Sequence, residues 1–186
     1  MTQFSRLRGF ENVYSSLPTW MQGWRGSVIF TGLLALSAHC AFPLPGTPVP
    51  ATMQVFTVLL AGLMLGPIWG AVSAVQYLAI GLLGLPVFAP GPLGVAAVMG
   101  ATGGYILAFP VAAAVAGLAC GRNEKKMALA CASAIGLIYF SGCSWLALSF
   151  HPHLNVLQAF AAGAGWFFVW DAAKACAAIA VAKIAR

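Results

Sequence analysis

Long apolar segments separated by clusters of glycine and proline dominate this chain. Between residues 26 and 121 the sequence contains no Asp, Glu, Lys or Arg. Gly and Pro cluster at three places in this stretch, and such clusters usually mark the ends of helices. The pattern predicts four helices, over residues 27–41, 52–65, 69–83 and 104–119. It also predicts a tight turn at Gly66-Pro67 and an irregular loop over residues 84–103.

The rest of the chain predicts two more helices, over residues 127–149 and from about 166 to 186. A polar loop precedes the first of them, and a less regular segment, residues 151–165, separates the two. A membrane-spanning helix needs about 20 residues. Because Lys183 and Arg186 mark the far end of the last helix, its start is predicted near Trp166. Aromatic side chains there, Trp166, Phe167, Phe168 and Trp170, are typical of a membrane interface.

The basic residues predict how these helices are oriented in a membrane. Cytoplasmic loops carry an excess of Lys and Arg. Six spans with both termini inside place eight of the nine basic residues on the cytoplasmic side: Arg6, Arg8, Arg25, Arg122, Lys125, Lys126, Lys183 and Arg186. We therefore predict an all-α integral membrane protein of the plasma (inner) membrane with six transmembrane helices, N-in and C-in. Gly/Pro-rich outer loops would then cover a binding pocket.

Residues 1–25 are predicted to form a cytoplasmic or interfacial segment, and residues 26–186 a single membrane domain. The first segment mixes polar and aromatic residues and does not resemble a cleaved signal peptide. Hydrophobic residues make up 61% of the chain and charged residues 6%, whereas soluble domains contain about 25% charged residues. The net charge of +6 follows from the scattered basic residues at helix ends. It is therefore not interpreted as a nucleic-acid signal.

The cysteines and histidines offer weak evidence for metal or redox chemistry. The five cysteines show no CxxC spacing and are interpreted as small buried apolar residues: Cys40, Cys120, Cys131, Cys143 and Cys176. His39, His151 and His153 fall near the predicted outer face without a neighbouring carboxylate. We expect no metal site and no cofactor. The chain contains no Walker A sequence, so it is not expected to hydrolyse ATP by that route.

Asp171 and Lys174 are the charged residues that lie well inside a predicted span. Residues at i and i+3 share one face of a helix. A charge inside the membrane is unfavourable by about 2.5–3.5 kcal/mol on insertion scales, and such residues usually face the interior of the bundle and mark a ligand or transport pathway. The pair is therefore the strongest candidate for a binding site, with a purely structural ion pair as the alternative.

Several neutral polar residues are weaker candidates. Thr52, Gln54, Gln76 and Tyr77 lie in or beside the second and third predicted helices, where each needs a hydrogen-bonding partner. They serve either helix–helix contacts or a ligand. Glycines 103 and 104 at the start of the fourth predicted helix would let backbone N–H groups approach a ligand. Gly-Gly equally serves close helix packing, so both interpretations stay open.

Together these residues resemble the BioY family, the biotin-specific substrate-binding components of energy-coupling-factor (ECF) transporters. The matching patterns are P-V-P-x-T-x-Q from residue 48, L-A-G-x-x-L-G-P from residue 60, G-A-x-S-x-x-x-Y from residue 70, G-L-P-V-F-A from residue 84, T-G-G-Y from residue 102 and D-x-x-K from residue 171. Each pattern alone is weak, whereas their order and spacing together are specific.

The resemblance implies high-affinity capture of biotin from outside the cell. It also implies partners: a transmembrane coupling subunit and two cytoplasmic ATP-binding subunits. Asp171 would accept from the ureido N–H groups of biotin, and Lys174 would neutralise it and donate to the ureido carbonyl. Further candidate biotin contacts are Thr52, Gln54, Tyr77, Phe88, Gly103 and Gly104.

Two other function classes stay open. The first is a proton-coupled or solitary small-solute carrier, in which Asp171 would gain and lose a proton. The second is an intramembrane enzyme that uses His151, His153 or Asp171. No nucleophile–base pairing can be identified from the spacing of these residues, so we expect the chain not to be an enzyme.

Overall fold

The computed structural model describes Thr19 and residues 22–44, 47–149, 156–165 and 167–185. These residues are mostly helical. The elements in chain order are α1 (Gly23–His39), β1 (Ala41–Phe42), β2 (Ala51–Thr52), α2 (Gln54–Leu82), α3 (Val95–Met99), α4 (Gly103–Gly117), α5 (Glu124–Ser149), α6 (Val156–Phe160), a π-helical turn (Ala161–Gly165) and α7 (Phe168–Ile184). Arg6, Arg8, His151, His153, Trp166 and Arg186, on which expectations rest above, lie outside the described residues.

Helix α2 is a hairpin of two helical halves joined at Gly66. This residue has φ of 79° and ψ of −179°, a conformation that favours glycine because other residues carry a Cβ atom. The Nε2 atom of Gln54 donates to the hydroxyl of Tyr77 at 2.7 Å. In a straight helix these residues would be about 35 Å apart, at 1.5 Å per residue. The two halves therefore run antiparallel, and the predicted turn at Gly66-Pro67 is confirmed.

Glycines allow the helices to approach closely near this turn. A Cβ atom on Gly70 would lie 2.9 Å from the Cα of Gly62, and one on Gly117 would lie 2.4 Å from the backbone nitrogen of Pro67. The end of α4 therefore packs directly on the turn of α2. Across the bundle, the side chains of Glu124 and Lys183 form an ion pair between the start of α5 and the end of α7. These contacts define one end of the bundle, where the polar loop also lies.

Two segments that were predicted to be irregular contain regular structure. The predicted loop over residues 84–103 includes α3, and residues 156–165 form α6 and the π-helical turn. Strands β1 and β2 pair antiparallel, with Ala41 opposite Thr52. This short ribbon closes the connection from α1 to α2 at the end of the bundle away from the polar loop, and it holds Thr52 beside the first turn of α2.

Of the described helices, α2 and α5 have the length and apolar composition needed to cross a membrane. The 29 residues of α2 include both halves of the hairpin, and α4 is a shorter apolar helix of 15 residues. The buried faces of the helices form one apolar core, which includes Leu34 of α1, Leu63 of α2 and Ile138 of α5. Large apolar side chains also cover much of the outside, such as Leu36 and Leu148. An apolar exterior of this kind suits contact with lipid chains.

Candidate functional site

A cavity lies at the end of the bundle opposite the polar loop. Its walls come from the β2 region, the first turns of α2, α4 and α7, and the second half of α5. The lining residues are Val49, Pro50, Thr52, Gln54, Val55, Ala89, Thr102, Tyr105, Ile106, Phe109, Ile138, Tyr139, Phe167, Asp171 and Lys174. The space that the cavity leaves free is about 50 Å³, well below the roughly 300–1,000 Å³ of typical small-molecule sites, so the site is nearly closed around its lining side chains.

Asp171 and Lys174 form the charged centre of this cavity. Asp171 is 2% exposed, and its Oδ1 accepts a hydrogen bond from the Nζ of Lys174 at 2.7 Å. Its Oδ2 accepts from the hydroxyl of Tyr139 at 2.7 Å. Lys174 also donates to the backbone carbonyl of Thr52 at 2.7 Å. The pair therefore links α7 to α5 and to the β-ribbon, so both charges are held in fixed positions.

Both charged groups keep hydrogen-bonding capacity after these contacts. An ammonium group has three N–H donors, and Lys174 uses two of them among the described residues. A carboxylate has about four acceptor positions, and Asp171 uses two. Counting contacts among the described residues, one donor and two acceptor positions of the pair are left. The site can therefore bind a neutral polar group that combines N–H donors with a carbonyl oxygen.

The neutral polar candidates divide between the cavity and the helix contacts. Thr52 and Gln54 line the cavity, and the Thr52 hydroxyl donates to the Oε1 of Gln54 at 3.0 Å. Tyr77 is fully buried and does not line the cavity. Its hydroxyl accepts a hydrogen bond from Gln54 between the two halves of α2. Gln76 accepts from the hydroxyl of Thr31 at 2.8 Å, which joins α2 to α1. Helix–helix bonding thus explains the positions of Gln76 and Tyr77, and direct ligand contact by Tyr77 stays a prediction.

Phe88 anchors the loop after α2. It is 3% exposed, and its ring meets the ring of Tyr77 edge-on with centroids 5.3 Å apart. A Cβ atom on Gly81 would lie 2.1 Å from this ring, so the glycine provides the space that Phe88 fills. Ala89, the next residue, lines the cavity instead. Phe88 therefore lies behind the lining residues and holds the loop over them.

Gly103 and Gly104 lie at the start of α4 but do not line the cavity. A Cβ atom on Gly103 would lie 1.7 Å from the carbonyl oxygen of Val98, and one on Gly104 would lie 2.3 Å from the Cβ of Trp145. The carbonyl of Gly104 accepts from the hydroxyl of Ser141 at 2.7 Å. Close packing of α4 against α3 and α5 explains both glycines. Direct ligand contact by these two residues stays a prediction.

Tyr139 and Tyr105 line the cavity, although neither was predicted from the sequence to be a site residue. The hydroxyl of Tyr105 donates to the carbonyl of Gly163 at 3.0 Å, and its ring occupies the space that a Cβ atom on Gly142 would need. A tyrosine hydroxyl in an apolar span requires a partner. That requirement was a usable signal for Tyr139, since Asp171 was the carboxylate predicted inside a span.

The cysteines and His39 form neither a disulfide nor a cluster of metal ligands among the described residues. All five cysteines are free thiols; Cys120, Cys131 and Cys143 are buried, whereas Cys40 and Cys176 are exposed. The expectation that all five are buried is therefore wrong for two of them, which lie on outward faces of the helix bundle. His39 is exposed and bonds through Nδ1 to the carbonyl of Ala35. Within the described part of the chain, no group of three His, Cys, Asp or Glu side chains could hold a metal ion.

Known proteins resemble this chain in sequence. A family model described as the BioY family matches residues 20–186. The "Probable biotin transporter BioY" of Pyrococcus horikoshii is 40% identical over 155 residues, which cover 83% of this chain and 90% of that protein. The "Biotin transporter BioY" of Thermotoga maritima is 36% identical over 157 residues, covering 83% and 89% respectively.

A solved structure resembles the fold. The crystal structure of the S-component for biotin from an ECF-type ABC transporter superposes with a TM-score of 0.76. The match covers 98% of this chain and 92% of that one, at 22% sequence identity. At this identity the likeness establishes the fold alone, namely that of an S-component membrane protein.

Proposed function

The chain belongs to the BioY family, and we propose that it is the membrane-embedded biotin-binding component of an ECF-type transporter. It is a member of a transporter family and not an enzyme. The observation that carries the proposal is the buried Asp171–Lys174 pair at the cavity, with one donor and two acceptor positions left for a ligand. In this proposal biotin is the transported ligand, and no cofactor takes part.

The unused positions of the pair match the ureido group of biotin. That group has two N–H donors and one carbonyl oxygen. Asp171 accepts from one ureido N–H group, since the two N–H bonds of the five-membered ring diverge, and the third N–H of Lys174 donates to the neighbouring carbonyl. Thr52 and Gln54 contact the polar ring from the wall formed by β2 and the start of α2, beside Lys174. The apolar side chains of Ile106, Phe109, Ile138 and Phe167 enclose the rest of the bicycle and the tail.

We further propose six membrane spans with both termini inside: α1, the two halves of α2, α4, α5 and α7. The contacts at the two ends of the bundle support this arrangement. Arg122, Lys125 and Lys126 lie at the end that the Glu124–Lys183 ion pair closes. The cavity lies at the other end. With the basic end in the cytoplasm, the cavity opens outward and captures biotin from outside the plasma membrane.

Transport itself requires partners in this proposal. The sequence contains no Walker A motif, so the energy of ATP hydrolysis must come from other chains. The partners are a transmembrane coupling subunit and two cytoplasmic ATP-binding subunits. This assignment is supported by the likeness in fold to the S-component of an ECF-type ABC transporter.

The proposal is tested by two measurements on the purified protein. Calorimetric titration in detergent is expected to give saturable, high-affinity binding of biotin, and absence of binding would refute the proposed ligand. In liposomes without other chains, ATP is expected to cause no biotin accumulation. Accumulation that collapses with an uncoupler would instead support a proton-coupled carrier, the alternative in which Asp171 exchanges a proton.

A further inference from the structure

A second concave surface lies on the outside of the bundle, at the end away from the cavity. It is a groove between the turn of α2, the last turn of α4 and the first two turns of α5. Its walls are apolar: Ile68, Leu118 and Leu129 are 67%, 69% and 70% exposed. Side chains this exposed and this apolar are favourable next to lipid chains and unfavourable next to water.

Two cations line the groove together with these apolar walls. Arg122 lies in the loop after α4, and Lys126 lies in the first turn of α5. Ser133 lines the groove seven residues further along α5, which is about 10 Å at 1.5 Å per residue. Positive charge is therefore confined to one end of the groove, and the rest of its length is nearly apolar. This division matches a molecule with an anionic head and a hydrocarbon chain.

We propose that this groove binds one anionic phospholipid. The phosphate lies between Arg122 and Lys126, and an acyl chain lies along Leu129 toward Ser133. Basic pockets between membrane helices on the cytoplasmic side commonly bind anionic head groups. The site is remote from Asp171 and Lys174, so it depends on the chain being embedded in a membrane and not on biotin. Its failure would leave the proposed biotin binding intact.

Native mass spectrometry of the protein tests this proposal. The protein is released from micelles that contain equal amounts of phosphatidylglycerol and phosphatidylcholine with identical acyl chains. The wild type is expected to retain one phosphatidylglycerol molecule in preference to phosphatidylcholine. Each cation near a membrane surface contributes about fivefold to the binding of anionic lipid. The double variant Arg122→Gln/Lys126→Gln is therefore expected to lose about 25-fold in this preference.

Lys125→Gln is the matched control, because Lys125 lies beside Lys126 in the first turn of α5 but does not line the groove. Its preference for phosphatidylglycerol is expected to stay close to that of the wild type. An equal loss in Lys125→Gln and in the single variants Arg122→Gln and Lys126→Gln would mean a general surface-charge effect, and it would overturn the specific site. Equal retention of both lipids by the wild type would overturn it as well.

A second variant tests the apolar part of the groove without changing charge. Ser133 is exposed, so Ser133→Phe is expected to fold and to fill the far end of the groove. It should reduce retained phosphatidylglycerol several-fold while biotin binding stays unchanged. If the groove instead holds a second copy of the chain, Ser133→Phe would reduce the fraction of dimers and leave lipid retention as it was, which contradicts the proposal.

Discussion

Replacing Asp171 by Asn tests the proposed site most directly. The substitution keeps the shape of the side chain and removes its negative charge. In the wild type both carboxylate oxygens act as acceptors, since Lys174 donates to Oδ1 and Tyr139 donates to Oδ2. The amide keeps one acceptor oxygen and replaces the other by a donor. The hydrogen bond from a ureido N–H group therefore loses its charged acceptor, and we expect weaker binding of biotin.

The expected loss follows from one charge-assisted hydrogen bond. Such a bond contributes about 1.5–3 kcal/mol, which corresponds to roughly 10- to 150-fold in the dissociation constant. Stability should fall as well, because removal of one partner of a buried ion pair typically destabilises by about 3–5 kcal/mol. Lys174 keeps its bond to the carbonyl of Thr52 and its side chain is 10% exposed. We therefore expect a loss of stability near the lower end of that range, about 3 kcal/mol.

The two effects are separated by measuring them on the same preparation. Calorimetric titration with biotin gives the affinity of monodisperse Asp171→Asn protein, and thermal unfolding without ligand gives its stability. Glu124→Gln is the matched control, because it makes the same chemical change in the exposed ion pair at the other end of the bundle. It should bind biotin as the wild type does. Unchanged affinity in folded Asp171→Asn protein would refute the proposed recognition and leave the pair a structural one.

Three further predictions follow from named contacts. Tyr139→Phe removes one hydrogen bond from the Asp171 carboxylate without changing charge. Biotin affinity measured by titration should fall about 5- to 10-fold while the Asp171–Lys174 pair stays intact, and full affinity would mean that the Tyr139 ring contributes packing alone. Gly117→Ala forces a Cβ atom against the backbone of the α2 turn and should destabilise by about 1–3 kcal/mol in thermal unfolding, whereas Gly136→Ala, which meets nothing within 4 Å, should not. Single cysteines at Asn123 and Leu93 in a cysteine-free background should label only from the cytoplasm and only from outside, respectively; the opposite labelling would contradict the proposed topology.

Local patterns made part of the fold predictable. The Gly66-Pro67 turn could be identified because a positive φ favours glycine and proline cannot continue a helix's hydrogen-bonding pattern. The helix positions were predictable from apolar segments bounded by such residues. In contrast, α3 and the β-ribbon were missed. Their segments are short and rich in Gly and Pro, and contacts with the rest of the bundle stabilise them.

The family, the apolar character of the helices and the pairing of Asp171 with Lys174 could be recognised from local sequence, because an i, i+3 relation is fixed by the helix. The other groups that complete the site depend on how distant segments pack together. Tyr139 lies 32 residues from Asp171, and the carbonyl of Thr52 lies 122 residues from Lys174. The packing of separate helices creates these contacts. A glycine has no side chain, so either a ligand or a neighbouring helix can approach it closely. The packing of the helices decides between the two and places Gly104 against Trp145, away from the cavity.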